Sequence, residues 1–146
     1  MSTRLDVNKA ELALLKAALP GAEVKGLDND AAFPDRVPPN GLVILRQGNP
    51  GEAEVTLSPL TYHWEHRSPV EVAAYSSATA TNSEALDAML VAIGAAVAAD
   101  RTLGGLVDWL DVEPASPEDL AATGAKPAKG EIIMLVASYA TTNPLN

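Results

Sequence analysis

Apolar residues recur along this chain in two rhythms, one helical and one alternating. Leu12, Leu15 and Leu19 fall on one stripe at helical spacing, which predicts a helix from about Lys9 to Leu19. Asn8, with Glu11 three residues on, forms a capping-box pattern at its start, and Pro20-Gly21 stops it. A second helix is written more plainly. Leu86, Met89, Leu90, Ile93 and Val97 share one face, and Thr81-Asn-Ser-Glu84 is a second capping box. Alanines fill most other positions there, which favours helix and leaves a modestly apolar back face open to another subunit.

The alternating rhythm predicts strands. Leu42 to Gln47 is apolar and β-branched, and Glu54 to Leu57 reads as half-exposed. Thr61 to Ser76 is a long extended segment. Tyr62, Trp64 and His66 share one of its faces, and His63, Glu65 and Arg67 share the other. Pro69 predicts a bulge or an edge position within it. Leu106 to Val112, introduced by Gly104-Gly105, and Ile132 to Ala140 complete the set, with Tyr139 expected at the sheet margin. Short connections among the first three strands imply an antiparallel meander.

Two stretches break the rhythm. Residues 20–40 carry Pro34, Pro38, Pro39 and an Asp28-Asn29-Asp30 cluster, so at most a short strand is expected near Ala22 to Lys25, before a Pro-Pro-Asn-Gly turn. Pro114 to Lys129 reads as a loop ordered by a partner, with one helical turn at Pro117 to Ala122 capped by Ser116. The order α-β-β-β-α-β-β predicts an α+β fold. It is an antiparallel sheet of four to five strands with two main helices on one face, in one domain over residues 1–146.

Composition then narrows the function classes. No cysteine is present, which removes disulfides, zinc-thiolate and Fe–S sites and cysteine nucleophiles. A net charge of −9 argues against gripping nucleic acid or anionic membranes. It does not argue against surrounding DNA without holding it. The N-terminal MSTRLDVNKAE has no apolar run of signal-peptide length, and the longest apolar stretch is too short to span a bilayer, so a soluble, unexported protein is expected.

Candidate chemistry is sparse. His63 and His66 are the only histidines, and on a strand they point to opposite faces, so they do not converge on a metal. His63, Glu65 and Arg67 read instead as a solvated or interface face. No serine sits in a nucleophile elbow, and Gly104-Gly105 lacks any phosphate-loop pattern and reads as a turn. Asp108 and Asp111 flank Trp109 on opposite strand faces, so they do not form a carboxylate pair. Trp109 is an interface anchor if exposed and ordinary core if buried. No cofactor and no catalytic group are expected.

The helix at residues 81–100 leads into Asp100-Arg-Thr-Leu-Gly-Gly-Leu-Val-Asp-Trp-Leu110, and the last strand ends in Tyr139-Ala-Thr-Thr-Asn-Pro-Leu145. With the Pro-rich loop between them, this order resembles the tail terminator (tail-completion) proteins of long-tailed phages, prophages and gene transfer agents. The likeness covers roughly residues 40–146 and rests on Thr102-Leu-Gly-Gly105 and the terminal Tyr-x-Thr-x-x-Pro-Leu. It implies a virion assembly protein in the tail and neck region, made in the bacterial host cytoplasm. Such a protein forms a ring, commonly a hexamer, that caps the tail tube, stops its polymerisation and meets the head-side connector. DNA passes through the lumen. Trp109, Asp108, His63, Glu65, Arg67, Glu118, Asp119, Thr141, Thr142 and Asn143 are the candidate partner and oligomer contacts. The alternatives are another neck or head–tail connector protein, a small ligand-binding α+β module, and a small enzyme.

Overall fold

In the computed structural model, the described residues are 2–32, 34, 38–74, 81–117 and 129–146. Two helices, α1 (Thr3–Ala18) and α2 (Asn82–Ala99), lie on one face of a six-stranded mixed sheet. The strands are β1 (Glu23–Leu27), β2 (Leu42–Arg46), β3 (Glu54–Thr56), β4 (Thr61–Ala74), β5 (Trp109–Pro117) and β6 (Lys129–Thr141). The path across the sheet is β1-β2-β4-β6-β5, with β3 also on β4. The α+β class and the two helices agree with the sequence reading. The sheet carries an added parallel pair, β1 on β2, where only a short strand near Ala22 to Lys25 was expected.

α1 begins at Thr3 and not at Lys9, because Ser2 takes the cap: its Oγ accepts from the Leu5 N–H at 3.3 Å. Asn8 lies inside the helix, and its amide donates to the Gln47 carbonyl at 3.1 Å, fastening helix to sheet. Val7, Glu11 and Leu15 face the sheet and are fully buried. Glu11 is therefore a core residue and not a capping partner. α2 follows its prediction closely. The Thr81–Glu84 capping box is complete, Asp100 closes the helix, and Leu86, Met89, Ile93 and Val97 are buried. These side chains meet Val43, Leu45, Val70, Val72, Ile133, Leu135 and Ala137 on the inner sheet face in one core.

β2 and β3 behave as one interrupted strand. They do not pair with each other, so there is no meander; both run antiparallel along the same side of β4. Leu42 stands opposite Ala73 and Glu54 opposite His63, so thirteen residues on one side match eleven on the other. The two extra residues are taken up between Gln47 and Ala53, where Asn49 alone bridges to Arg67. Gly48 makes this excursion feasible. Its φ is +73°, and a Cβ there would stand 2.7 Å from the Ser68 Cα. β3 itself is exposed throughout and not half-exposed.

β4 alternates as expected, with His66, Ser68, Val70 and Val72 buried. No bulge marks Pro69. The β4–β6 register runs unbroken from Tyr62 opposite Thr141 to Ala74 opposite Lys129. Instead, the β2 ladder ends at Val70, beside the proline that has no N–H to continue it. On the outer face of β2, Arg46 forks onto the Glu71 carboxylate at 2.9 and 3.0 Å. Its Nη1 also donates to the Asp28 carbonyl at 2.8 Å, holding the β1–β2 crossover against the sheet.

Two further boundaries move. The expected strand at Leu106 to Val112 begins at Trp109, because residues 101–108 form the turn. It then continues to Pro117, so Ser116 and Pro117 are paired strand residues and not a helix cap. The remainder of that expected loop, residues 118–128, lies outside the described residues. β6 reaches Thr141, and Tyr139 is 4% exposed within the core and not marginal.

Candidate interaction surfaces

Among the described residues, no helix covers the outer face of the sheet. Register places Glu65, Ser138 and Trp109 in one row across β4, β6 and β5, with Arg67, Val136 and Asp111 in the next. Arg67 pairs with Glu65 at 2.9 Å and also with Glu113 on β5. These rows flank a half-buried apolar column, Ile132, Met134 and Val136, on β6. His63, Glu65, Arg67 and Trp109, singled out in the sequence, thus share this face. His63 is exposed and lies 3.0 Å from Thr56 Oγ1, whereas His66 is fully buried, so the two histidines diverge.

Trp109 is 51% exposed, which makes it a displayed residue and not core. The Arg101 guanidinium sits 5.0 Å from its ring centroid. Asp111 holds that guanidinium at 2.7 Å, and Arg101 also donates to the Leu110 carbonyl at 3.2 Å. The Asp111 carboxyl also accepts from the Val112 N–H, which with Arg101 lowers its pKa. Asp108 is exposed at the start of this strand.

These bonds also close the outer edge of β5. Leu110 N–H is taken by the Arg101 carbonyl at 2.6 Å, Val112 N–H by Asp111 Oδ1 at 2.9 Å, and Pro114 has none. Those three alternate residues face away from β6, so a strand adding there would find no free N–H donor from Leu110 to Pro114.

Thr141 must be removed from the candidate contacts. It is 5% exposed, accepts from Trp64 Nε1 at 2.9 Å and donates to the Asn143 carbonyl at 2.9 Å. Its role is to fold the C-terminal turn back onto the sheet. Thr142 and Asn143 remain exposed. Glu118 and Asp119 lie outside the described residues.

One apolar display was not anticipated from the sequence. The β3–β4 hairpin carries Val55, Leu57 and Leu60, of which Leu57 is 78% exposed. The signal was present in Leu57-Ser-Pro-Leu60, where apolar residues flank a turn with no core to enter. A shallow groove between α1 and α2 is lined by Ala10, Ala13, Ala17, Ala96 and Leu103.

One polar cluster is buried beneath α1. His66 Nε2 lies 2.7 Å from the Gln47 carbonyl and must carry the proton, so Nδ1 accepts from the Tyr139 hydroxyl at 3.3 Å. Burial lowers the His66 pKa, which keeps the ring neutral. Among the described residues, neither Glu11 carboxyl oxygen nor Ser68 Oγ has a partner within hydrogen-bonding distance. Burial pushes the Glu11 pKa up to about 8, with the nearby Ser68 hydroxyl pulling weakly the other way. With Ser68 beyond bonding distance, burial decides the matter, and Glu11 is a neutral acid at pH 7. Among the described residues no three metal-ligating side chains gather, and no helix is long and apolar enough to cross a membrane. No protein-family model matches the chain, and no curated protein matches it.

Proposed function

We propose that the protein is a structural component of a phage-type tail, a terminator ring that caps the tube and receives the head-side connector, and that it is not an enzyme. The observation that carries this reading is the spread of displayed hydrophobic residues over four separate elements. Leu57 on the β3–β4 hairpin, Val91 on α2, Trp109 on β5 and Leu145 in the C-terminal turn are 78%, 63%, 51% and 89% exposed. Four displayed side chains on different elements suit a subunit with several neighbours, since ring closure needs two unlike surfaces and the tube and connector need others. The Thr102–Gly105 turn and the Tyr139–Leu145 ending, which carry the sequence resemblance, each adjoin one of these displays. The surplus of acidic side chains suits a lumen through which DNA moves without being held.

The test is direct. Purified protein is added to tail-tube subunits polymerising on a tail tip, and tube length is followed by electron microscopy. Capping arrests growth, and a variant lacking residues 142–146 should fold yet cap poorly. Tubes that grow unchanged with saturating protein would refute the reading. Binding to filled heads in place of tubes would move the protein to the connector side of the neck.

A further inference from the structure

We propose that a second copy of this chain docks along the β1/β3 side of the sheet, each copy's β1 lying beside the other's β3 across a two-fold axis. The two edges of the sheet differ. The β5 edge is closed by Arg101, Asp111 and Pro114, as described above. The opposite side of the sheet has no such closure among the described residues: nothing there bonds the outward backbone of β1 or of β3. An open edge of this kind is a template for another strand.

That side is stepped. β2 and β3 together run the length of β4, but β1 covers only β2, residues Leu42–Arg46. Beyond Arg46, the Asn29 side chain continues the pairing for one position, giving to the Gly48 carbonyl at 3.0 Å and taking from its N–H at 2.8 Å. Past that point the column beside β3 is empty of described backbone. The step is self-complementary. Turning a second copy by half a turn about an axis normal to the sheet brings its β1 into the vacant column beside β3. The same turn brings the first copy's β1 beside the second copy's β3. At either end three strands then separate one β4 from the other: β2, β1 and a foreign β3, or β3 with a foreign β1 and β2.

Strand direction agrees. β1 is parallel to β2, and β2 and β3 are both antiparallel to β4, so β1 and β3 run the same way within one copy. Half a turn reverses one of them, and the new joints are antiparallel. Side chains agree as well. Val24 packs toward the core, so Lys25 stands on the outer face. Glu54, opposite the outer-facing His63, stands there too. The joint therefore places a lysine near a glutamate of the other copy twice over, while Val55, 48% exposed alone, gains cover on the inner face. This pairing goes beyond the ring proposed above and does not rest on it, because a two-fold joint buries the same surface of both copies.

The experiment uses the absence of native cysteine. Lys25→Cys/Glu54→Cys carries only two thiols, and a short bis-maleimide spans direct or diagonal neighbours across a strand joint. The covalent mass should double and stop there, and an equal mixture of Lys25→Cys and Glu54→Cys should also give the doubled species. Each single variant alone should stay at the monomer mass. Wild-type protein should show the same doubling by sedimentation. Folding of every variant is checked by its denaturation midpoint. A monomer mass throughout, or equal linking in the single variants, overturns the proposal. A ladder running past two also overturns it, and would leave the ring reading standing.

Discussion

Glu11→Gln should stabilise the protein at neutral pH, by an amount that depends on pH in a way no surface change can imitate. Both Glu11 carboxyl oxygens are buried without a partner, and burial raises the pKa from 4.5 to about 8. The sign follows from linkage. A group whose folded pKa is raised binds more protons in the folded state than in the unfolded one. Its stabilisation is fully present below pH 4.5 and is lost as pH rises through about 8. Each pH unit inside that window costs about 1.36 kcal/mol. The folded protein therefore carries a penalty of about 1 kcal/mol at pH 5 and about 3 kcal/mol at pH 7, relative to an uncharged side chain of the same shape. Glutamine is that side chain. Urea unfolding of both proteins, repeated across the window, reads the difference directly. All other carboxylates are common to both proteins and cancel. The gap should widen steadily from pH 5 to pH 8 and flatten above. A gap independent of pH would mean that Glu11 is solvated or paired in solution, and the buried, neutral acid would be wrong.

Other outcomes follow from the same geometry. Arg46→Ala leaves the half-buried Glu71 carboxylate unpaired and should cost about 1.5–3 kcal/mol in denaturant; a loss below about 0.5 kcal/mol would contradict the clamp. Gly48→Ala forces a side chain into the Ser68 backbone at a positive φ, and the protein should lose its cooperative melting transition. Trp64→Phe removes the donor to Thr141 and should lower stability by about 1 kcal/mol, while faster amide exchange at residues 142–145 reports the freed turn. Trp109→Ala should change stability by no more than about 1 kcal/mol, since its main contact is the Arg101 guanidinium, yet weaken capping of tubes; unaltered capping would remove Trp109 from the interface.

The elements legible in the sequence are those whose local signals and tertiary packing agree. α2 is the clearest, with a capping box at one end and a single apolar stripe between, and nothing distant overrides it. β4 is legible because a two-residue period survives from His63 to Val72. The start of α1 was not legible. Asn8 looks like a cap from its neighbours alone, but Ser2 caps the helix and Asn8 is drawn instead to the Gln47 carbonyl, a partner 39 residues away. Glu11 was misread for the same reason: its charge suggests a helix start, and its position beneath α1 appears only once the helix is laid on the sheet. β1 was obscured because its partner lies beyond a proline-rich crossover, which is held down by side-chain contacts from Arg46, Gln47 and Asn29. Among candidate contacts, the alternation on β4 placed His63, Glu65 and Arg67 on one face of the sheet, as the register has them. Thr141 was taken for a free end because its bond to Trp64 spans 77 residues.

The closed rim of β5 has a consequence for valence. A sheet open on both flanks can add neighbours without limit and grow into a fibre. Among the described residues this one has a single open flank, because on β5 two backbone N–H groups are consumed locally and a proline stands at the third position. Any partner that takes that flank leaves an object with no flank to offer, so growth ends with the first addition. Arg101→Ala together with Asp111→Ala would unseal the rim, and the signature to look for is concentration-dependent polymer where the native chain forms none.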